Sequence, residues 1–264
     1  MNTLNRIWAV GLSTFKEAVK NRAFVGLMIG SLAMIVASVL LSELVVPDQQ
    51  KRVVQNFGLS FISFAGVLIA ITMGILLVYS EINKKTIYTI ISKPINRWEF
   101  VVGKYIGMVL LLATVTTMLS ICWFIVLKYR EVSFRIEYIY SVVLVFSTLS
   151  LIGSVAIFFS SFSSPVLSGI FTFCIYIIGR QIPFIEQLLT ARKGLFASMP
   201  SLKPVGNAVV SVFPDLTVFD LTKQILLEIE IPVSFVLQSS LYAFSYVFFF
   251  VAVSCVVFSR REFV

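Results

Sequence analysis

The fold is decided by residues 138–179, which read YIYSVVLVFSTLSLIGSVAIFFSSFSSPVLSGIFTFCIYIIG and contain no Asp, Glu, Lys or Arg. A helix crosses the roughly 30 Å hydrocarbon core of a bilayer with about 20 apolar residues, so this stretch is long enough to cross twice. It is interrupted by the polar run at 160–165, where Ser164 suits an N-cap and Pro165 the first position of a new helix. The stretch therefore predicts two spanning helices joined by a short turn.

Four further stretches lack charged residues: Ala23–Ser42, Val53–Ser80, Tyr105–Leu127 and Ile231–Ser259. Hydrophobic residues form 58% of the 264-residue chain and charged residues 13%, against about 45–50% and 25% in soluble domains. This composition excludes a disordered chain and argues against a soluble domain, and the runs lack the alternation of barrel strands. We predict an all-α polytopic membrane protein, with residues 1–264 in one transmembrane domain and six spans at about 23–45, 57–80, 102–127, 137–159, 165–181 and 233–258.

The distribution of Lys and Arg predicts the orientation. Six spans put both termini on one side, and the segments on that side contain eleven basic and four acidic residues. Because an excess of Lys and Arg marks the cytoplasmic side, we expect both termini in the cytoplasm and the protein in the cytoplasmic (inner) membrane. The net charge of +8 then reflects topology and contact with anionic lipid headgroups rather than nucleic-acid binding.

The predicted spans offer no ionisable side chain near their middle, since Glu43, Glu81, Glu137 and Arg180 fall at or beyond span ends. Ion-coupled carriers and membrane enzymes usually need such groups at depth, so both classes are disfavoured. The chain has no His, and its three cysteines fall inside spans. We therefore expect no catalytic residue, no metal site and no disulfide.

No segment matches the phosphate-binding pattern G-x-x-x-x-G-K-[ST]. We accordingly expect no cofactor in this chain, and any ATP that drives it, with its Mg²⁺, would be bound and hydrolysed by another protein.

Small residues recur at four-residue spacing, which permits close approach of helix backbones. They are Gly26 and Gly30 in the first span, Gly66, Ala70 and Gly74 in the second, and Gly103 and Gly107 at the start of the third. Packing within the subunit and a seam between two subunits are both compatible with this pattern.

Residues 3–22 have the pattern of an amphipathic helix lying in the cytoplasmic interface. Its apolar positions follow the 3.6-residue helical period and are Leu4, Ile7, Trp8, Leu12, Phe15 and Val19. The helix would be either a simple anchor or a lever that contacts a cytosolic partner.

The cytoplasmic segment 81–101 is longer than a connection between two spans requires. A short helix is predicted from Lys84 to Ser92, and Pro94 ends it. Asn96 and Glu99 have the spacing of a capping box for the third span. The short helix carries an apolar ridge flanked by lysines, which suits a groove on a partner protein or, alternatively, the surface of the lipid.

With these segments the sequence resembles the permease subunits of ABC transporters, in the superfamily that includes drug, polysaccharide and copper-enzyme-maturation exporters. The residues that carry the resemblance are Phe15-Lys16-Glu17-Ala18, Asn21-Arg22, Glu81, Lys85-Thr86-Ile87, Ser92-Lys93-Pro94-Ile95, Arg97, Phe100–Tyr105, Pro214-Asp215-Leu216, Phe219-Asp220-Leu221 and Phe258–Phe263. The resemblance extends over the whole chain and is specific for the superfamily, not for a substrate.

The resemblance implies a homodimer or heterodimer of permeases, each bound to a cytosolic ABC ATPase. It implies that residues 82–94 are the coupling helix and that residues 3–22 are the interfacial helix of the family. The residues expected to dock on the ATPase are Glu81, Lys84, Lys85, Thr86, Ile87, Ile90, Ile91, Lys93, Pro94 and Arg97.

The sequence therefore predicts the permease of an ATP-driven exporter. A second hypothesis is a membrane module that does not transport and instead relays ATPase motion to an extracytoplasmic partner. That partner would bind the long external loop at 181–231, which is predicted to contain an amphipathic helix near Ile182–Leu189 and another capped by Asp220. A passive interfacial cover is an equally compatible role for this loop.

Overall fold

The computed structural model describes residues 3–83, 96–190 and 203–260, and within these ranges the chain is helical without any strand. The helices are α1 Thr3–Val19, α2 Arg22–Glu43, α3 Pro47–Asn83, α4 Arg97–Tyr129, α5 Ile136–Ser160, α6 Pro165–Thr190, α7 Lys203–Val212, a 3₁₀ turn Thr217–Phe219, α8 Thr222–Leu226 and α9 Val233–Arg260. The predicted all-α class is confirmed.

Six of these helices are long and apolar enough to cross a membrane, namely α2, α3, α4, α5, α6 and α9. This confirms the predicted number of spans. Several helices extend beyond the predicted bounds because the polar residues that flank the apolar runs are also helical. The clearest case is α3, predicted from residue 57, which begins at Pro47, a residue suited to the first position of a helix.

A second departure from prediction is α6, which was expected to end near residue 181 and continues to Thr190 through Pro183. A proline inside a helix has no N–H for the carbonyl four residues earlier. Here that carbonyl belongs to Gly179, and it accepts a hydrogen bond of 3.0 Å from the backbone N–H of Leu216. The separate amphipathic helix predicted near residues 182–189 is therefore part of α6, and Arg180 lies inside a helix rather than at its end.

The core is built around α5, which packs against α3, α4, α6 and α9. Its Leu149, Ile152 and Val155 are fully buried. α2, α6 and α9 are less buried and leave apolar side chains such as Phe248 of α9 exposed. These faces are available to lipid or to a second subunit.

A second part of the core lies near the predicted external ends of α3, α4 and α5. Trp123 of α4 is fully buried, and its indole N–H donates to the Val54 carbonyl at 3.3 Å. Its ring also meets Tyr138 edge to face, with the ring centroids 5.5 Å apart. Gly58 makes room for the indole, since a Cβ at that position would overlap it. These contacts hold the three spans together at one end.

Candidate functional site

The predicted docking segment joins α3, which ends at Asn83, to Asn96 before α4. Residues 84–95 lie outside the described part of the chain, as does the side chain of Glu81. The docking roles of Glu81, Lys84, Lys85, Thr86, Ile87, Ile90, Ile91, Lys93 and Pro94 therefore stay predictions. The helices on either side of the segment are described, and their contacts show which other parts of the chain are attached next to it.

The start of α4 has the predicted capping box. The backbone N–H of Asn96 donates to a carboxylate oxygen of Glu99 at 3.1 Å. Only 1% of Glu99 is exposed, and a guanidinium nitrogen of Arg6 in α1 lies 3.9 Å from the same oxygen. A carboxylate in the first turn is also favoured by the positive end of the helix dipole. Glu99 thus links the cap of α4 to α1.

α1 lies directly on the first turns of α4, and glycines make this contact possible. A Cβ on Gly103 would be 2.7 Å from the Val10 Cβ, and one on Gly107 would be 2.5 Å from the Gly11 carbonyl oxygen and 2.6 Å from the Thr14 Cβ. All three distances are too short for a real Cβ atom, so only glycine lets the two backbones approach this closely. The atoms nearest to Gly103 and Gly107 therefore belong to α1.

The face of α1 that contacts α4 was not recognised from the sequence. Its buried residues are Gly11, Thr14 and Ala18, whereas Leu4 and Trp8 of the predicted apolar stripe are exposed. The spacing of three and four residues between these small side chains was the available signal. α1 thus has a small-residue face toward α4, and its Leu4 and Trp8 side chains lie away from the packed residues.

The end of α9 is also attached to the start of α4. Arg97 donates a hydrogen bond of 3.1 Å to the Ser259 carbonyl in the last turn of α9, where a cation is favoured by the helix dipole. The rings of Phe100 and Phe258 stack with centroids 5.7 Å apart. Lys104 is almost fully buried, and its ammonium lies 5.5 Å from the Phe100 ring centroid. α1, α4 and α9 therefore meet immediately next to the docking segment.

The other predicted seam residues divide into two groups. A Cβ on Gly66 would be 2.5 Å from Leu149 Cδ1 and one on Gly74 would be 2.6 Å from Ala156 Cβ, so these residues lie against α5, and Ala70 is fully buried. Gly26 and Gly30 of α2 are exposed, and a Cβ there would have no neighbour within 4 Å among the described residues.

At the opposite end of the molecule, residues 213–222 fold back onto the spans. Asp220 pairs with Arg180 of α6 at 2.8 Å and accepts a hydrogen bond of 3.1 Å from the Thr222 N–H. The prediction that Asp220 caps this helix is wrong, because the N-cap of α8 is Leu221 and Asp220 lies one residue earlier. The backbone N–H of Asp215 donates to the Tyr242 hydroxyl of α9 at 3.0 Å. Together with the bond from Leu216 to α6, these contacts form a clamp at the end that is predicted to be external. It is called the external clamp and is defined as residues 213–222.

The environment of Asp220 favours its charged form. Burial acts to raise the pKa of this carboxyl, but hydrogen bonds from Thr222 and the positive charge of Arg180 outweigh it, so the pKa lies below the ordinary value of 3.8. Asp220 therefore remains ionised, and the ion pair with Arg180 persists, throughout the neutral pH range.

The described residues contain no group of three or more His, Cys, Asp or Glu side chains placed to hold a metal ion. A family model described as "ABC-2 family transporter protein" matches residues 5–188. The comparison with curated proteins found no match. The matched region begins in α1 and ends two residues before the end of α6, so it includes both sides of the docking segment.

Proposed function

The chain belongs to the ABC-2 family of transporter proteins, and from this premise we propose that it is the permease of an ATP-driven exporter powered by a separate cytosolic ATPase. Membership of the family makes the chain a multi-pass permease subunit of an ABC transporter. The coupling to ATP hydrolysis, the outward direction of transport and the location in the cytoplasmic membrane are part of the proposal.

The observation that carries the proposal is the junction of α1, α4 and α9 beside the docking segment. The segment is followed directly in the sequence by Asn96 and the capped first turn of α4. Because α1 is held to this turn by glycine contacts and α9 by Arg97, a displacement of the segment would move three helices together. Packed helices that shift as units are a common means of transmitting a conformational change.

The proposed mechanism is mechanical. Binding of ATP would close two ATPase subunits, the docking segments of two permease copies would move with them, and the spans would shift to open a path between the copies. Neither copy needs a nucleotide site of its own. The exposed apolar faces of α2, α6 and α9 provide area for a second permease and for lipid.

Co-purification of the permease with its ATPase tests the docking assignment. Ile87→Asp combined with Ile91→Asp should abolish retention of the ATPase, because two carboxylates cannot enter an apolar groove without a large desolvation cost. Leu227→Asp combined with Ile229→Asp is the matched control, since both residues are exposed and lie in the external region. The assignment is wrong if the first variant still retains the ATPase.

A second function is favoured by the external clamp. Since the clamp is bonded to both α6 and α9, movement of these helices would also move residues 213–222. A module that relays ATPase motion to an external partner would use such a connection. Deletion of residues 203–212 distinguishes the two functions. An exporter should keep ATPase stimulation and lose at most substrate release, whereas a relay module should lose its external partner.

A further inference from the structure

A cleft lies between the last turns of α6 and helix α8, next to the external clamp. It has a volume of about 510 Å³. Its lining consists of Arg180, Pro183, Phe184, Gln187, Thr217, Asp220, Lys223 and Gln224. Pro183 and Phe184 form an apolar side, and the remaining residues are polar or charged. No role in transport or in ATPase docking accounts for this combination.

The charges of the lining favour an anion. The lining contains two cationic side chains, Arg180 and Lys223, and one carboxylate, Asp220. That carboxylate already accepts from the Arg180 guanidinium and from the Thr222 N–H. A guanidinium has five N–H donors, and the ion pair with Asp220 is the one bond from Arg180 to the described residues. The cleft therefore has an excess of one positive charge and unused donors.

Gln224 adds a second requirement. Its side-chain oxygen is buried and has no hydrogen-bond partner among the described residues. A buried acceptor without a donor is costly, so a ligand that supplies an O–H or N–H group there would be favoured. With the amide turned the other way, a buried N–H would instead need an acceptor, which an anion supplies.

We propose that this cleft binds a phosphodiester that carries a hydroxyl group. A phosphodiester has one negative charge, which matches the excess charge of the lining, and Arg and Lys are the side chains that most often bind phosphate oxygens. The hydroxyl satisfies Gln224, and the apolar side accommodates the carbon skeleton. The headgroup of phosphatidylglycerol and a free glycerophosphodiester share this chemistry. The site goes beyond the proposed function and does not depend on an ATPase.

Two binding measurements on the full-length protein distinguish these sources. In the first, glycerophosphoglycerol is titrated into protein in nanodiscs made of phosphatidylcholine, and the thermal midpoint is recorded. In the second, native mass spectrometry measures how much phosphatidylglycerol remains bound relative to phosphatidylcholine. Saturable stabilisation by the soluble probe identifies a free phosphodiester as the ligand. Selective retention in the second measurement alone identifies the lipid headgroup.

The variants Lys223→Gln and Gln224→Leu locate the binding in this cleft and leave the ion pair of the external clamp in place. Each should weaken binding about tenfold, because each removes a hydrogen bond to a charged or buried group. Lys203→Gln is the matched control, since Lys203 is also exposed and external but lies outside the cleft. The proposal fails if neither measurement shows binding, if both cleft variants bind normally, or if Lys203→Gln weakens binding as much as Lys223→Gln.

Discussion

Replacing Gly107 by alanine should detach α1 from α4. The added Cβ would be 2.5 Å from the Gly11 carbonyl oxygen and 2.6 Å from the Thr14 Cβ, and both atoms belong to the body of α1 rather than to the end of a flexible side chain. Relief of the overlap therefore requires that α1 move as a whole. In the proposed mechanism this movement also weakens the link between the docking segment and the spans.

The magnitude follows from two opposing contributions. Overpacking a close contact costs about 1–3 kcal/mol. Alanine is favoured over glycine inside a helix by about 1 kcal/mol. The expected net loss of stability is therefore up to about 2 kcal/mol, accompanied by reduced stimulation of the partner ATPase.

Thermal unfolding of the purified protein in one detergent measures the effect, and two substitutions serve as controls. A Cβ at Gly30 would have no neighbour within 4 Å among the described residues, and one at Gly11 would be 3.3 Å from its nearest atoms. Gly30→Ala should therefore be neutral or stabilising, and Gly11→Ala should fall between the two. If Gly107→Ala were as stable as Gly30→Ala, the close contact between α1 and α4 would be refuted.

Three further predictions concern other parts of the chain. Gly179→Ala should displace the external clamp, because its Cβ would be 2.7 Å from the Pro214 carbonyl oxygen, and faster hydrogen exchange at Leu216 would report this. Asp220→Asn should lower the thermal midpoint at pH 7, and the difference from the unchanged protein should shrink as the pH falls below 3.8, because the depressed pKa makes the carboxylate stabilising only while it is ionised. The third prediction tests the orientation, which places Ser133 outside and Ser164 in the cytoplasm. In a protein without the native cysteines, an impermeant thiol reagent added to intact cells should label Ser133→Cys and should not label Ser164→Cys. The reverse pattern would overturn the predicted orientation.

The spans could be predicted from the sequence because a long uncharged run in a bilayer is stable as a helix, in which the backbone N–H and C=O groups bond to one another. The capping box of Asn96 and Glu99 was predictable for a similar reason, since a cap depends on residues that are close together in sequence. The bond from the Thr222 N–H to Asp220 is equally local, although Leu221 and not Asp220 is the N-cap of α8.

Features that depend on contacts between distant residues were missed. Pro183 is a stop signal when read locally, but α6 passes through it, and the Gly179 carbonyl accepts a hydrogen bond from the distant Leu216. The small-residue face of α1 can be recognised as a packing surface only together with Gly103 and Gly107 of α4, which lie about a hundred positions later in the chain. Gly26 and Gly30 are an example of the opposite kind. Their spacing is that of a packing motif, but both are exposed among the described residues.

The bond from Leu216 to α6 is made by the main chain, and this affects how the external region tolerates change. Any amino acid other than proline at position 216 can supply the donor. The Leu216 side chain is itself buried, so the attachment and the packing at this position depend on different groups of the same residue. Leu216→Pro would remove this donor, and the Gly179 carbonyl would then receive no N–H from either Pro183 or position 216. In directed evolution of this region, position 216 must keep both its amide hydrogen and an apolar side chain, so a library there should be restricted to apolar residues other than proline.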